Sequence, residues 1–503
     1  MDTTEVLVVG AGPTGLTLAC ALLQQGIEVR VVDRADGPAT TSRANVLHAR
    51  GAEVLDRVGA LGPLRERGQR VMQLSLHLDG RAVGQLRFGA QAGRGVLVLP
   101  QSEVEAGLRA RFRELGGSVE WGTELLGAHQ DGRGVTAVLT SGTARAGWVA
   151  GCDGAHSAVR RIAGCDFPGA AMPDQWVLAD VRADFGVDRG GTLGWFHPAG
   201  MLFAMPMRNE SGDLWRLIAD APADGAADQE RILDELRSAV DERSTLQSAR
   251  IREATWASGF RIHRRLAGQY RSGRCVLAGD AAHIHSPLGG QGMNTGVGDA
   301  ENLAWKLALV LRGRAGESLV DTYREERRPL ATGVVRGTSG ITRLALARGP
   351  VVRRVRDRAL SHLLSRERVQ LRISTAASQL RVSYRKGPLG SRGANLAGNR
   401  LTSTTRPRPG DRVPDLGCTT VDGTHTRLHA ELRGHWALLG GDAEQLEVAR
   451  KALGDGVVAL RPDGQAREAR LVRPDAHLAW RGRTSTGLRR WLGTALGSPG
   501  RAG

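Results

Sequence analysis

Six residues near the start of the chain, Gly10-Ala11-Gly12-Pro13-Thr14-Gly15, have the types and spacing to cradle a pyrophosphate. Gly10 permits a tight turn, Gly12 lets backbone approach a phosphate, and Gly15 permits close helix–strand packing. The N–H groups opening the following helix add donors and positive dipole. Asp33, eighteen residues after Gly15, can accept from the hydroxyls of a ribose. A second set lies far downstream. Asp280 ends the apolar run Cys275-Val276-Leu277-Ala278 and precedes Pro287-Leu288-Gly289-Gly290-Gln291-Gly292-Met293-Asn294, a glycine-rich loop. An Asp at a strand end can bind a polyol hydroxyl, and the loop opens a helix predicted to begin near Thr295, whose dipole can stabilise charge on a ring carbonyl. A nicotinamide cofactor has no need of this distant second site, whereas an extended FAD spanning both does.

The elements around these motifs follow from the pattern of apolar residues. Glu5–Val9 reads as a strand, Leu16–Gln25 as a helix stopped by Gly26, and Glu28–Asp33 as a second strand, giving a βαβ start. Gln101–Leu115 is an amphipathic helix with Val104, Leu108 and Phe112 on one face. Short strand-like runs, Trp176–Val181 and Gly200–Met207 among them, mark residues 171–265 as a sheet-rich unit. Residues 299–385 read as mostly helical, Gly387–Gly410 as a linker, and the remainder as a small compact unit.

Together the GxGxxG turn, Cys152-Asp153-Gly154-Ala155-His156-Ser157 and Gly279-Asp280-Ala281-Ala282-His283 through Gly296 resemble the class A FAD-dependent aromatic hydroxylases, the p-hydroxybenzoate hydroxylase family. The resemblance covers roughly residues 1–400, and length and tail are similar to bacterial hydroxylases of aromatic polyketides. It implies an α/β fold with a Rossmann-type, glutathione-reductase-like FAD-binding domain (1–170 and 266–395), a substrate domain (171–265) and a thioredoxin-like domain without CxxC (396–503). It implies Gly12, Thr14 and Gly15 at the pyrophosphate, Asp33 and Arg34 at the adenosine, and Arg43 at the phosphates. Gln101 would lie near the ribityl chain, and Leu125 would offer a backbone contact to adenine. Asp153 would serve FAD and NADPH, and Asp280 the ribityl chain or pyrophosphate. Pro287 would lie over the flavin, with Gly292, Met293 and Asn294 at its pyrimidine edge. The implied reaction consumes NADPH and O2 and hydroxylates a polycyclic aromatic through a flavin C4a-hydroperoxide. The alternatives are a Baeyer–Villiger or epoxidising relative and an antibiotic-modifying or antibiotic-sequestering flavoprotein.

For the substrate, the aromatic cluster of residues 195–260 supplies Trp195, His197, Phe203, Met205 and Trp215 as candidates. No catalytic base is assigned. The family's phenolic tyrosines have no counterpart among Tyr270, Tyr323 and Tyr384, the three tyrosines of the chain. His283 and His285 lack the partners of a metal site, so no metal is expected. The tail has Cys418 alone, which argues against dithiol chemistry. Deleting 396–503 is therefore expected to spare flavin reduction.

Composition narrows the alternatives. The net charge of +17 invites a nucleic-acid reading, but only Lys306, Lys386 and Lys451 of 69 basic residues are lysine, and glycine reaches 68 of 503 residues. That is coding bias on a solvated basic surface, and no nucleic-acid partner is expected. The five cysteines are scattered, and no apolar run reaches the roughly 18 residues of a membrane span. The expectation is a cytoplasmic monomer or homodimer.

Overall fold

The computed structural model describes residues 2–41, 44–88, 96–221, 228–286, 289–345, 357–358, 362, 366–390, 407–464 and 468–497. Arg43 and Pro287 lie outside them.

The βαβ start forms as its pattern predicts. Strand Asp2–Val9 pairs in parallel with Val29–Val32 on one side and Gly142–Gly151 on the other. Helix Pro13–Leu23 crosses between them, with Pro13 in the first turn, where its missing N–H costs no bond. The sheet continues outward through Cys275–Leu277 to Arg271–Ser272 at one edge and to Val119–Glu120 at the other. The strand carrying Asp280 at its exit therefore lies beside the strand that ends in Gly151, one removed from the glycine turn. Helix Gly292–Leu311, buried along almost its whole length, packs on helix Pro13–Leu23. It starts three residues before the predicted Thr295.

A second eight-stranded sheet forms the opposite wall. Its order runs His283–Ile284, Ile251–Leu266, Gly169–Ala183, Leu214–Ala221, Gly200–Pro206, Gly191–His197, Gln73–Leu78 and Arg81–Arg87. It reaches beyond the predicted 171–265 unit, because the hairpin of 73–87 joins through a parallel pairing with Gly191–His197. One face rests on helix Gln229–Arg243 through a core of Trp195, Trp215, Leu217 and Leu236. The other face is turned toward the dinucleotide-type sheet.

The carboxy-terminal unit is a six-stranded mixed sheet with helices Ala443–Leu453 and Ser485–Leu496 packed together. It does not sit apart on a tether. Arg473 is 1% exposed and donates to Glu326 at 2.7 Å and Asp475 at 2.9 Å. Lys306 meets Glu326 at 2.9 Å, and Arg50 reaches the Asp475 carbonyl at 2.8 Å. Arg412 pairs with Glu53, and Arg57 with Glu301 at 2.6 Å. These charges are buried, and each is matched by an opposite one.

Such pairs set the response to acid. Burial opposes the charge on Glu326, but Arg473 and Lys306 outweigh it and hold its pKa at about 2. Burial lowers His285 to about 4 and His429 to about 3. In each case the unfolded chain binds more protons than the folded one below the ordinary pKa, so stability falls as pH falls. Thermal unfolding is expected to show a melting temperature that declines from pH 6.5 and more steeply from 4.5 toward 2. A flat profile between pH 6.5 and 4.5 would exclude the two histidines, and one that stays flat from 4.5 to 2 would exclude Glu326.

Candidate functional site

The glycine turn shows why each glycine is there. Gly10 has φ +105°, and a Cβ on it would lie 2.5 Å from the Cys152 carbonyl oxygen. A Cβ on Gly15 would lie 1.9 Å from the Gly10 carbonyl oxygen, so Gly15 is buried packing beneath the turn and does not line the cavity. A Cβ on Gly12 would meet nothing within 4 Å. Gly12 and Thr14 thus present open backbone to a cavity, as a pyrophosphate requires. Asp33 Oδ2 accepts from the Ala11 N–H at 2.7 Å and Oδ1 from Ala35 at 2.9 Å. That leaves lone pairs on a half-buried carboxylate for ribose hydroxyls, although Asp33 is not among the residues lining the cavity. The Asp33 carbonyl accepts from Thr123, which brings the Leu125 segment alongside. Leu125 itself is buried outside the cavity, and Arg34 is exposed.

Asp153 departs from expectation. Its carboxylate accepts from the Ser157 hydroxyl, the Ala158 N–H at 2.6 Å and the Val159 N–H at 3.1 Å. It holds Ser157, the N-cap of helix Ala158–Ile162, together with the first two N–H groups of that helix, and it does not line the cavity. The neighbouring His156 and Arg160 do.

The second motif meets the first. Gly279 and Gly296 both approach Thr14 so closely that a Cβ on either would lie within 2.5 Å of its Oγ1. Asp280 opens into the cavity and is the one carboxylate among the described residues lining it. Enclosure by protein raises its pKa, His283 opposing and Asp299 adding to the rise. Asp299, fully buried beneath the loop, accepts from the Gly279 N–H at 3.1 Å, His283 at 2.7 Å and Arg327 at 2.6 Å. Gly292 and Met293 line the cavity at the start of their helix. Asn294 does not: its amide donates to the Val46 and Gly290 carbonyls and its oxygen accepts from His48, all at 2.8 Å. It staples two loops together. Gln101 lines the cavity with its amide held by Glu105 at 2.8 Å.

The cavity has a volume of about 1790 Å³. Typical small-ligand sites measure roughly 300–1,000 Å³, so there is room for an extended cofactor and a large second molecule. Its apolar half is the inner face of the eight-stranded sheet, and strand alternation decides which residues reach it. Phe203 and Met205 do. Trp195 and Trp215 point the other way, into the core under helix Gln229–Arg243. Trp195 also stacks on His77 with ring centroids 5.2 Å apart. His197, two residues from Trp195 on the same strand, stands outside the cavity at the hairpin turn and accepts from the Ala199 N–H at 3.3 Å. In their place the alternation presents Trp176, Phe196, Ile218, Trp256 and Phe260. Helix residues Leu330, Val334 and Ile373 close the opposite side.

This phase yields a paired prediction. Phe203→Ala should weaken a bound polycyclic phenol roughly tenfold, from lost apolar burial. Trp195→Phe should leave that affinity unchanged and lower stability by about 1–2 kcal/mol. Fluorescence titration and thermal unfolding of both variants check it, and a binding loss in Trp195→Phe alone would reverse the assigned faces.

No tyrosine lines the cavity. Tyr270, Tyr323 and Tyr384 are all core residues, and the Tyr323 and Tyr384 hydroxyls are bonded to Leu277 and Arg327. Among the described residues, the cavity's titratable side chains are Asp280, Cys152, Arg160, Arg261, Arg265, Arg381, His48, His156, His263 and His285. His48 is tethered to the Gly289 carbonyl at 2.7 Å, and burial lowers its pKa. Among the described residues no cluster of three or more His, Cys, Asp or Glu is placed to hold a metal ion. No helix among them is long and apolar enough to cross a membrane.

Comparison with known proteins agrees with this geometry. An FAD binding domain model matches residues 3–338, and the aromatic-ring hydroxylase C-terminal model matches 406–499. The chain is 36% identical to 6-methylpretetramide 4-monooxygenase of Streptomyces rimosus, over 96% of this chain and 92% of that protein. It is 33% identical to a rifampicin monooxygenase of Streptomyces venezuelae, over 98% and 99% of the two chains. The solved ternary complex of aklavinone-11 hydroxylase with FAD and aklavinone superposes with a TM-score of 0.79 at 27% identity, covering 99% of each chain.

Proposed function

The chain belongs to the FAD-dependent aromatic-ring hydroxylase family, and we propose that it uses NADPH and O2 to hydroxylate a polycyclic aromatic of the polyketide type. The observation that carries this is the single cavity shared by the glycine turn, the Asp280 loop and an aromatic sheet face. The residues present fit FAD. Gly12 and Thr14 would take the pyrophosphate, Asp33 the ribose, Asp280 the ribityl hydroxyls, and Gly292 and Met293 the ring edge. When bound, FAD reduced by NADPH supplies the electrophilic oxygen to be transferred. The chain's own part is to hold the substrate ring flat between Phe203, Phe260 and the helical wall, and to exclude water.

The cationic residues Arg160, Arg261 and Arg265, with His156 and His263, line the same cavity and favour an anionic dinucleotide. No tyrosine stands ready to deprotonate a phenol, so ring activation rests on the substrate's own acidity in this cationic setting. The protein is read as a cytoplasmic monomer or homodimer, with five free cysteines in keeping with a reducing compartment. Similarity to the rifampicin monooxygenase favours antibiotic modification as the second reading.

A panel of polycyclic phenols and antibiotics, assayed for NADPH oxidation with NMR of the products, separates the readings. A new ring hydroxyl on a biosynthetic-type polycycle supports the proposal. A lactone or epoxide, or turnover of finished antibiotics alone, replaces it.

A further inference from the structure

We infer that the carboxy-terminal unit positions the FAD-binding loop through a buried relay that ends at Asp280, with Tyr384 as its central positioning residue. The inference rests on the assignment of Asp280 to FAD above. At one end, Asp299 holds the Gly279 N–H at 3.1 Å and His283 at 2.7 Å, the residues on either side of Asp280 and its turn. Asp299 is in turn gripped by Arg327 at 2.6 Å. The same guanidinium donates to the Tyr384 hydroxyl at 2.8 Å and to the Thr295 carbonyl at 2.9 Å. The Tyr384 ring lies 4.2 Å, centroid to centroid, from His477 and 5.2 Å from the Arg473 guanidinium, both in the carboxy-terminal unit. Asp299, Arg327, Tyr384, Arg473 and His477 are all at most 4% exposed.

The chemistry makes this a positioning device more specific than general packing. Gly279 has φ +62°, in the left-handed region, so its turn needs outside support to present the Asp280 carboxylate. Asp299 gives that support as a charged acceptor. Arg327 sets where Asp299 can stand, and it is a planar fork fixed from two sides. One side is the helix that Thr295 belongs to. The other is Tyr384, whose own position is set by rings and charges of the far unit. A change at His477 or Tyr384 therefore reaches the Asp280 turn without touching the cavity, which neither residue lines.

The test compares FAD dissociation constants and melting temperatures of the full-length parent, Tyr384→Phe, His477→Gln and a control, Leu471→Ala. Leu471 is buried in the carboxy-terminal core and takes no part in the relay. Tyr384→Phe is expected to weaken FAD at least about fivefold and His477→Gln about threefold, scaled to a hydrogen bond or ring contact in the relay. Leu471→Ala should lower the melting temperature at least as much and change FAD affinity less than twofold. In the apoprotein, Tyr384→Phe should also speed amide hydrogen exchange at residues 279–282. FAD affinity within twofold of the parent in both relay variants overturns the inference, as does weakening in proportion to lost melting temperature in all three. If Tyr384→Phe does not fold, His477→Gln against Leu471→Ala decides. A parent chain that binds no FAD overturns the cofactor assignment instead, which keeps the two failures distinct.

Discussion

Asp280→Ala should fold and yet purify largely without FAD, its affinity reduced about 10- to 100-fold, the range for losing hydrogen bonds to a charged group. The geometry leaves little to substitute for it. Asp280 is the one carboxylate among the described cavity-lining residues, and it stands where the Gly279 turn meets Thr14 of the glycine turn. Its carboxylate opens into the cavity, so removing it should not lower the melting temperature of the apoprotein. Asp280→Asn keeps an acceptor and should lose less affinity than Asp280→Ala. Equilibrium dialysis or fluorescence titration with FAD checks the order parent, Asn, Ala. An Ala variant that binds FAD as tightly as the parent removes Asp280 from the site.

Glu326→Ala should cost about 3–5 kcal/mol of stability, the range for breaking a buried pair from one side. Glu326 accepts from Lys306 at 2.9 Å, Asn302 at 2.8 Å and Arg473 at 2.7 Å, and all of these groups are buried. Without it Lys306 is left as a buried cation without its carboxylate, while Arg473 keeps Asp475. Chemical unfolding of both proteins checks the figure, and a loss under 1 kcal/mol would show that water or rearrangement supplies a new partner. The same network bears on how deletion of 396–503, expected to spare flavin reduction, could be tested. Removing the tail would strip Arg473 from Glu326, the Asp475 carbonyl from Arg50 and Arg412 from Glu53, opening the buried pairs Lys306–Glu326 and Arg50–Glu301 to water and leaving each short of a partner. Truncation should therefore give an unstable protein, so point variants such as those at Tyr384 and His477 are the better probes.

How much of this was legible from residues alone depends on the range of the constraint. The glycine turn and the placement of Asp33 and Asp280 at strand exits were legible because backbone geometry demands those residue types at fixed local spacing. The aromatic content of the substrate wall was legible, but its phase was not. Trp195 and Phe196 are adjacent, and alternation says only that they face opposite ways. Which face meets the cavity is set by helix Gln229–Arg243 covering the other. For Asp153 the local contacts were readable too: Ser157 and the short helix after it offer the donors that its carboxylate accepts from. Asn294 is spent in the same way on a loop nearly 250 residues away. The hairpin of 73–87 and the partners of Arg473 were invisible because they are pairings across long stretches of chain, and no spacing within the sequence encodes them.

In the proposed reaction, oxygen from O2 is transferred to an aromatic ring in the cavity shared by Asp280 and Phe203. The most direct test of that transfer is turnover of a responsive polycyclic phenol with FAD and NADPH under ¹⁸O₂ in ordinary water. The account predicts a product two mass units heavier than the one made under ¹⁶O₂, carrying the label as a new ring hydroxyl. Product oxygen drawn from water, or NADPH oxidation that yields only hydrogen peroxide with every polycycle tried, would contradict it.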